Sequence, residues 1–168
     1  MLIQCTKKLA KASKWDLVEY EKDEEPSFYD WHANLFLYNR RKGVMLMNDA
    51  TRYCIILYGL KAADFKRFDQ IALEAMKETF LAEGFSMNQI NAYIENCGEV
   101  TYTKTSNRSI LSQMSLFDWY VSEDIEEFVP SDSLNLVELN KEIGRIILGA
   151  AHKGFYPIEL LKEQMEKL

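Results

Sequence analysis

The sequence predicts an α+β fold in which a central, largely antiparallel sheet is covered by about five helices. Two observations predict it: three short apolar runs rich in aromatic and β-branched residues follow one another, and amphipathic helical patterns come after them. A chain of 168 residues that is 48 % hydrophobic is long enough for one well-buried core. We expect a single domain over 1–168, with an α/β core over 1–121 and a helical C-terminal extension over 122–168 packed on it.

The apolar runs LFLY (35–38), VMLM (44–47) and YCIILY (53–58) are separated by the turn-like segments NRRKG and NDATR. They predict a three-stranded antiparallel meander. Because the runs do not alternate with polar residues, both faces of this meander should be covered. LIQC (2–5) and EVTYTK (99–104) predict two further strands.

Start and stop signals place the first helices. Thr6 is expected to cap KKLAKAS, and a periodic apolar pattern predicts a helix from Ala62 to Glu83 that Gly84 terminates. Ser86 and Gln89 have the spacing of a capping box for the next helix.

The second half of the chain predicts further helices. One is expected to start near Ser106 and to end at the acidic segment SEDIEE and Pro130. Asp132 or Ser133 is expected to cap a helix that runs to about Leu148. Pro157 suits the first turn of the last helix.

Charge and cysteine content bound the class of protein. Twenty Lys and Arg residues against 26 Asp and Glu give a net charge of −6, which disfavours unspecific binding of a polyanion over the whole surface but leaves a local basic patch open. The cysteines Cys5, Cys54 and Cys97 are odd in number and lie in apolar segments, which favours a reducing compartment. Without a long apolar run or a signal-peptide pattern, we expect a cytoplasmic protein that does not contact a membrane.

Strand register predicts two polar rims. If 34–39 pairs with 43–48, Asn34 falls opposite Asn48, and one rim collects polar residues from β-strand ends: His32, Asn34, Asn48, Asp49 and Arg52. The other rim then carries Arg40, Arg41 and Lys42 close to Gly59 and Lys61. Solvated turns and a structural histidine are the simpler explanation of these residues, and His32 as a catalytic acid or base is the alternative.

The stretch TYTKTSNRS (101–109) runs from a strand into a helix N-terminus. Free backbone N–H groups there, together with Lys104, Ser106 and Arg108, favour a phosphate or a carboxylate. The alternative is that Thr105 or Ser106 only caps the helix and that both cations are solvated.

Common site motifs are absent from the sequence. It contains no glycine-rich nucleotide loop, no nucleophile elbow, no HExxH and no CxxC, and it has two histidines. We therefore expect no metal and no cofactor.

The chain resembles a family of small bacterial proteins known only as a domain of unknown function. The residues that carry the resemblance are WHANLFLYNRRKGVMLMNDATRY, LYGLKAADF, LAEG and TKTSNRS, in this order, within a match from LIQCTKK to about Met114. The resemblance implies a bacterial, intracellular protein. It implies no activity, substrate or catalytic residue.

Three functions from different classes remain open. The first is a non-catalytic binding or regulatory module with a local cationic site for an anionic ligand, a nucleic acid or an acidic protein. The second is a metal-independent enzyme, such as a nuclease, that acts on a phosphate-containing substrate through His32 with Lys104 or Arg108. The third is an assembly protein whose apolar tail, residues 134–148, forms a homodimer. We favour the first.

Overall fold

The computed structural model describes residues 1–19, 27–105, 107–128, 133–147 and 156–168, in which five strands and seven helices are found. The strands are β1 (Leu2–Cys5), β2 (Trp31–Tyr38), β3 (Arg41–Asn48), β4 (Cys54–Leu60) and β5 (Thr101–Lys104). The α-helices are α1 (Lys7–Ser13), α2 (Phe68–Ala82), α3 (Met87–Cys97), α4 (Arg108–Phe128), α5 (Val137–Ile143) and α6 (Pro157–Met165), and a 3-10 helix spans Asp64–Arg67. The α+β class is confirmed, with more helices than the five expected.

The five strands form one sheet in the order β4-β3-β2-β1-β5. The predicted meander is confirmed, since β2 pairs antiparallel with β3 and β3 with β4. However, β1 pairs parallel with β2 and with β5, so the sheet is mixed rather than simply antiparallel. The helix α1 between β1 and β2 is the crossover that a parallel pair requires.

The register between β2 and β3 differs from the prediction by three residues. Asn34 lies opposite Met45, and Asn48 lies opposite Trp31. The strands extend further than their apolar runs, which leaves only Asn39 and Arg40 in the turn, both with positive φ angles. Two successive left-handed residues are typical of the tight hairpin turn whose twist matches that of the strands.

Apolar residues cover both faces of the sheet, as the non-alternating runs predicted. One face carries the larger first core, formed with α1, α2, α3 and α6; its largest buried side chains include Trp31, Tyr53, Phe68, Phe80 and Tyr93. The opposite face carries the second core, formed with α4 and α5; it includes Met45, Met47, Ile56, Ile110 and Phe117. Helices α1 and α4 therefore lie on opposite faces.

Three of the predicted helix boundaries are confirmed. The Thr6 hydroxyl accepts a hydrogen bond from Leu9 N, and Ser86 and Gln89 form the expected capping box. Gly84, after α2, has a φ of 91°. The first turn of the predicted 62–83 helix is instead the 3-10 helix.

One boundary in the second half of the chain was predicted wrongly and one only roughly. Helix α4 runs through the acidic segment SEDIEE to Phe128, because Ile125 continues its buried stripe against the second core. Helix α5 begins at Val137 rather than near Ser133, because residues 134–136 are extended and pair with β4. Ser106, Pro130, Asp132 and Leu148 lie outside the described residues. Pro157 begins α6 as expected.

Backbone groups at the β4 edge are satisfied by the chain that follows α4. Tyr58 N donates to Leu134 O at 2.7 Å, and Leu136 N donates to Ile56 O at 3.1 Å. Ile56 N donates to the side-chain Oδ1 of Asn140 at 2.7 Å. Asn140 is fully buried, and its side-chain oxygen takes the place of the backbone acceptor that a neighbouring strand would supply to this N–H.

We expect Asn140→Ala to lower the free energy of unfolding by about 2 kcal/mol, because it leaves the buried N–H of Ile56 without an acceptor. Urea denaturation measures this change. Asn91→Ala, at an exposed position of α3, is the matched control and should change stability by less than about 0.5 kcal/mol. Equal effects of the two substitutions would contradict the role given to Asn140.

Candidate functional site

The structure joins two residues of the first predicted rim in a buried pair. His32 Nδ1 lies 2.6 Å from Asp49 Oδ1, and both side chains are almost completely buried. Asp49 Oδ2 also accepts a hydrogen bond from Gln4 Nε2 at 2.7 Å. A carboxylate only accepts hydrogen bonds, so Nδ1 of His32 is the donor in this contact and Nε2 is the ring nitrogen that Asp49 does not engage.

Arg52 lies beside this pair, in the turn between β3 and β4. Its guanidinium donates to the backbone oxygen of Asp49, and its side chain is buried. Burial lowers the pKa of Arg52, an effect that the nearby Asp49 carboxylate opposes. The predicted closeness of His32, Asp49 and Arg52 is thus observed.

His32 Nε2 is a buried polar atom without a hydrogen-bond partner among the described residues, and Arg52 Nε is another. Such atoms are uncommon in proteins and require an explanation. A histidine oriented by a carboxylate, with a free Nε2, has the arrangement of a general base. The same arrangement also serves as a buried structural pair.

Asn34 belongs to a different polar contact on the same face of the sheet. It accepts a hydrogen bond from the Thr6 hydroxyl at 3.0 Å and donates to Asp118 Oδ2 of α4 at 3.3 Å. Desolvation raises the pKa of Asp118, an effect that the charge of Lys8 partly opposes. Asn34 therefore links the end of β1 to α4.

Asn48 stabilises the turn that follows β3. Its Oδ1 accepts hydrogen bonds from the backbone N–H groups of Ala50 and Thr51, and its Nδ2 donates to the backbone oxygen of Phe28. With all of these bonds made inside the chain, Asn48 has a structural role. It does not join the His32 pair.

The second predicted rim lies at the opposite end of the meander, as expected. Arg41 lies 4.9 Å from the ring centre of Tyr58 and passes over Gly59, where a Cβ atom would clash with its guanidinium. Arg40, in the turn, and Lys61, just after β4, are exposed. Arg41 is thus engaged within the chain, and Arg40 and Lys61 are open to solvent.

The 101–109 junction has a helix that begins at Arg108, close to the predicted start. Asn107 Oδ1 accepts hydrogen bonds from the backbone N–H groups of Ser109 and Ile110 and so caps this helix. Arg108 is exposed, and Lys104 Nζ lies 3.4 Å from Glu19 Oε1. Ser106 lies outside the described residues. The alternative reading placed a cap at Thr105 or Ser106, and among the described residues Asn107 makes these capping bonds.

The strand register separates His32 from Lys104. Gln4 pairs with His32, whereas the next residue, Cys5, pairs with Lys104. Because successive residues of a strand point to opposite faces, the His32 and Lys104 side chains leave the sheet on opposite faces. This placement disfavours a mechanism in which the two act on one phosphate.

The carboxyl ends of β1 and β5 lie next to each other, and the chain leaves them in opposite directions. After β1 it enters α1 on the first-core face, and after β5 it enters α4 on the second-core face. In open sheets with parallel strands, ligands bind in the crevice that such a divergence creates. We call this place the switch-point crevice.

A cavity of about 310 Å³ opens at the switch-point crevice, and Cys5, Lys7, Ala10, Leu17, Lys104 and Thr105 line it. This volume is at the lower end of the range for small-molecule sites. Burial raises the pKa of the Cys5 thiol to about 12, so this thiol is neutral at physiological pH. Lys7 and Lys104 are exposed and supply positive charge.

The sequence analysis did not identify Asp118 or most of the residues that line the crevice. Asp118 follows Met114 by four residues and precedes Val121 by three, which is the spacing of the buried face of α4, so helical periodicity contained this signal. Lys7 and Leu17 carried no local signal, because only the parallel pairing of β1 with β5 brings them near Lys104.

Apolar residues of the tail, which suggested a homodimer, are mostly used inside the chain. Leu136, Leu139 and Ile143 are buried in the second core, whereas Ile147 is exposed. The homodimer stays a prediction. Its original motivation is weaker, since this apolar surface is already covered.

We expect Asp118→Asn to stabilise the protein at pH 7. The raised pKa means that the folded state binds the Asp118 proton more tightly than the unfolded state does, so ionisation lowers stability as the pH rises above the ordinary aspartate value. The gain from Asn should therefore vanish below about pH 4. Thermal unfolding between pH 3 and pH 8 measures it.

Glu95→Gln, at an exposed position of α3, is the control for the removal of one negative charge. A pH-independent effect of Asp118→Asn, or an equal effect of both substitutions, would contradict desolvation as the cause.

In the described part of the chain, no three histidine, cysteine or acidic residues are grouped as metal ligands, and no helix is long and apolar enough to span a membrane. No curated protein matches the sequence. One family, described as Domain of unknown function (DUF6933), matches residues 2–160. Because this match covers nearly the whole chain, the protein belongs to that family of unknown function.

Proposed function

We propose that this protein is a non-catalytic binding module that holds an anionic partner at the carboxyl ends of its parallel strands. The observation that carries the proposal is the switch-point crevice, a cavity of about 310 Å³ with Lys7 and Lys104 in its lining. Divergence of α1 and α4 creates the space, and the two exposed lysines give it positive charge.

Other cations extend the positive charge around the crevice. Strands β1, β2, β4 and β5 all point in one direction, so the segments that follow them lie at the same end of the sheet. The cations at this end are Lys7, Arg40, Arg41, Lys61 and Lys104. In a chain with a net charge of −6, such a grouping attracts anions locally.

The hairpin cations do not line the crevice. Strand β1 ends opposite Ala33, and β2 continues for five more residues to Tyr38. At about 3.3 Å per residue the hairpin tip lies roughly 16 Å further along. Arg40 and Arg41 therefore steer an anion or contact a longer partner, whereas Lys7 and Lys104 form the site itself.

The experiment compares two double variants with the same change in charge. Lys7→Gln with Lys104→Gln removes the crevice cations, and Lys77→Gln with Lys162→Gln removes two exposed cations from α2 and α6. We expect at least one of inorganic phosphate, octanoate and a fluorescent single-stranded DNA to bind the parent protein, with an affinity that falls as salt is added. The crevice variant should lose this binding and the control variant should keep it.

Thermal shift and fluorescence anisotropy measure these outcomes, since a ligand that binds only the folded protein raises its melting temperature. Absence of binding by all three probes, or an equal loss in both double variants, would overturn the proposed function.

The buried Asp49–His32 pair favours a second candidate function, a metal-independent enzyme that acts on a phosphate-containing substrate. His32 Nε2 has no partner among the described residues and is oriented for proton transfer. Arg52 is the cation next to this pair. In this candidate mechanism it therefore takes the role that the sequence analysis gave to Lys104 or Arg108.

For this candidate we expect hydrolysis of a fluorogenic RNA oligonucleotide, with a loss of at least a hundredfold in His32→Gln. Gln113→Glu, which alters a buried polar residue of α4, tests whether any disturbance of this region has the same effect. No hydrolysis above background by the parent protein would reject RNA cleavage.

A further inference from the structure

The lining of the switch-point crevice is divided into an apolar part and a charged part. The apolar part is formed by Cys5, Ala10 and Leu17. Cys5 belongs to it because its thiol is buried and neutral. Lys7, Lys104 and Thr105 supply the polar part, and both lysines are exposed to solvent. A ligand that satisfies both parts has an apolar body and an anionic group.

The chain itself places a carboxylate at the charged part. Glu19 Oε1 lies 3.4 Å from Lys104 Nζ, and both side chains are largely exposed. Val18, the residue before Glu19, is held against β5 by a hydrogen bond from its N–H to the backbone oxygen of Tyr102 at 3.0 Å. Glu19 therefore marks a position in which Lys104 accommodates a carboxylate.

The Glu19 contact is weak enough to be replaced. An exposed ion pair contributes little free energy, because water screens it and both side chains lose freedom. A ligand carboxylate that is also held by apolar contacts has the advantage over Glu19, since each buried methylene group adds to its affinity.

We infer that the crevice binds a small amphiphilic anion, with its carboxylate or phosphate between Lys7 and Lys104 and its apolar body against Cys5, Ala10 and Leu17. This inference rests on the proposed function and specifies its ligand class. The cavity of about 310 Å³ accommodates a small molecule, whereas the apolar part of its lining offers nothing to the polar backbone of a nucleic acid. Glu19 competes with this ligand for Lys104.

The test uses four probes that separate the two parts of the ligand. Octanoate has a charge and an apolar body, octyl phosphate has a different anionic group on the same body, acetate lacks the body, and 1-octanol lacks the charge. We expect octanoate or octyl phosphate to bind at least a hundredfold more tightly than acetate, because six methylene groups leave water, and at least threefold more tightly than 1-octanol. Isothermal titration calorimetry at two salt concentrations measures these ratios.

Variants locate the binding site. Leu17→Asp should weaken the binding of octanoate at least tenfold, because it places a negative charge in the apolar part. Glu19→Gln should strengthen it about twofold by removing the competitor. Leu81→Asp is the control, since Leu81 is an exposed leucine of α2 that does not line the crevice.

The outcomes separate this inference from the proposed function. Binding of phosphate or DNA that depends on Lys7 and Lys104, without binding of octanoate or octyl phosphate, would overturn the amphiphilic ligand and leave the anion site intact. Binding of octanoate that survives Leu17→Asp, or that Leu81→Asp weakens equally, would overturn the assignment to the crevice. A folded state of each variant is verified by circular dichroism before titration.

Discussion

The parallel pairing of β1 with β2 on one side and with β5 on the other is the constraint on which the rest of the structure depends. Parallel neighbours require crossover connections, and these connections bring helices to both faces of the sheet. The two cores, the burial of the meander and the divergence of α1 from α4 all follow from it. If β1 were an edge strand, the switch-point crevice would not form, and Lys104 would not lie beside the end of β1.

The sheet face beneath α4 is unusual because polar and apolar residues share it. Gln4, His32 and Asn34 come from β1 and β2, whereas the neighbouring strands β3 and β4 supply the second core. A buried polar group is stable only when it is hydrogen-bonded, and Asp49, Thr6 and Asp118 provide most of these bonds. Among the described residues, four buried side-chain atoms of this region lack such a partner: Nε2 of His32, Nε of Arg52, Oε1 of Gln113 and Oδ1 of Asp118.

The two candidate sites differ in character and lie on opposite faces of the sheet. The Asp49–His32 pair is buried and organised by hydrogen bonds, whereas the switch-point crevice is open and organised by the path of the chain. An open cavity with exposed lysines admits a ligand without a rearrangement of α4. For this reason the crevice, rather than the histidine, carries the proposed function.

Much of the fold was predictable from the sequence, because it depends on interactions between residues that are close together in the chain. The apolar runs predicted the meander, and the Thr6 cap, the Ser86 capping box and Pro157 predicted helix ends, because each signal acts within a few residues. The sequence also predicted that His32, Asp49 and Arg52 would be close. The tertiary structure decided the parallel pairing of β1, the two-residue turn that shifted the register by three residues, and the meeting of Lys7, Leu17 and Lys104. These features depend on contacts between distant segments, and the free energy of such contacts is not encoded in any local pattern of residues.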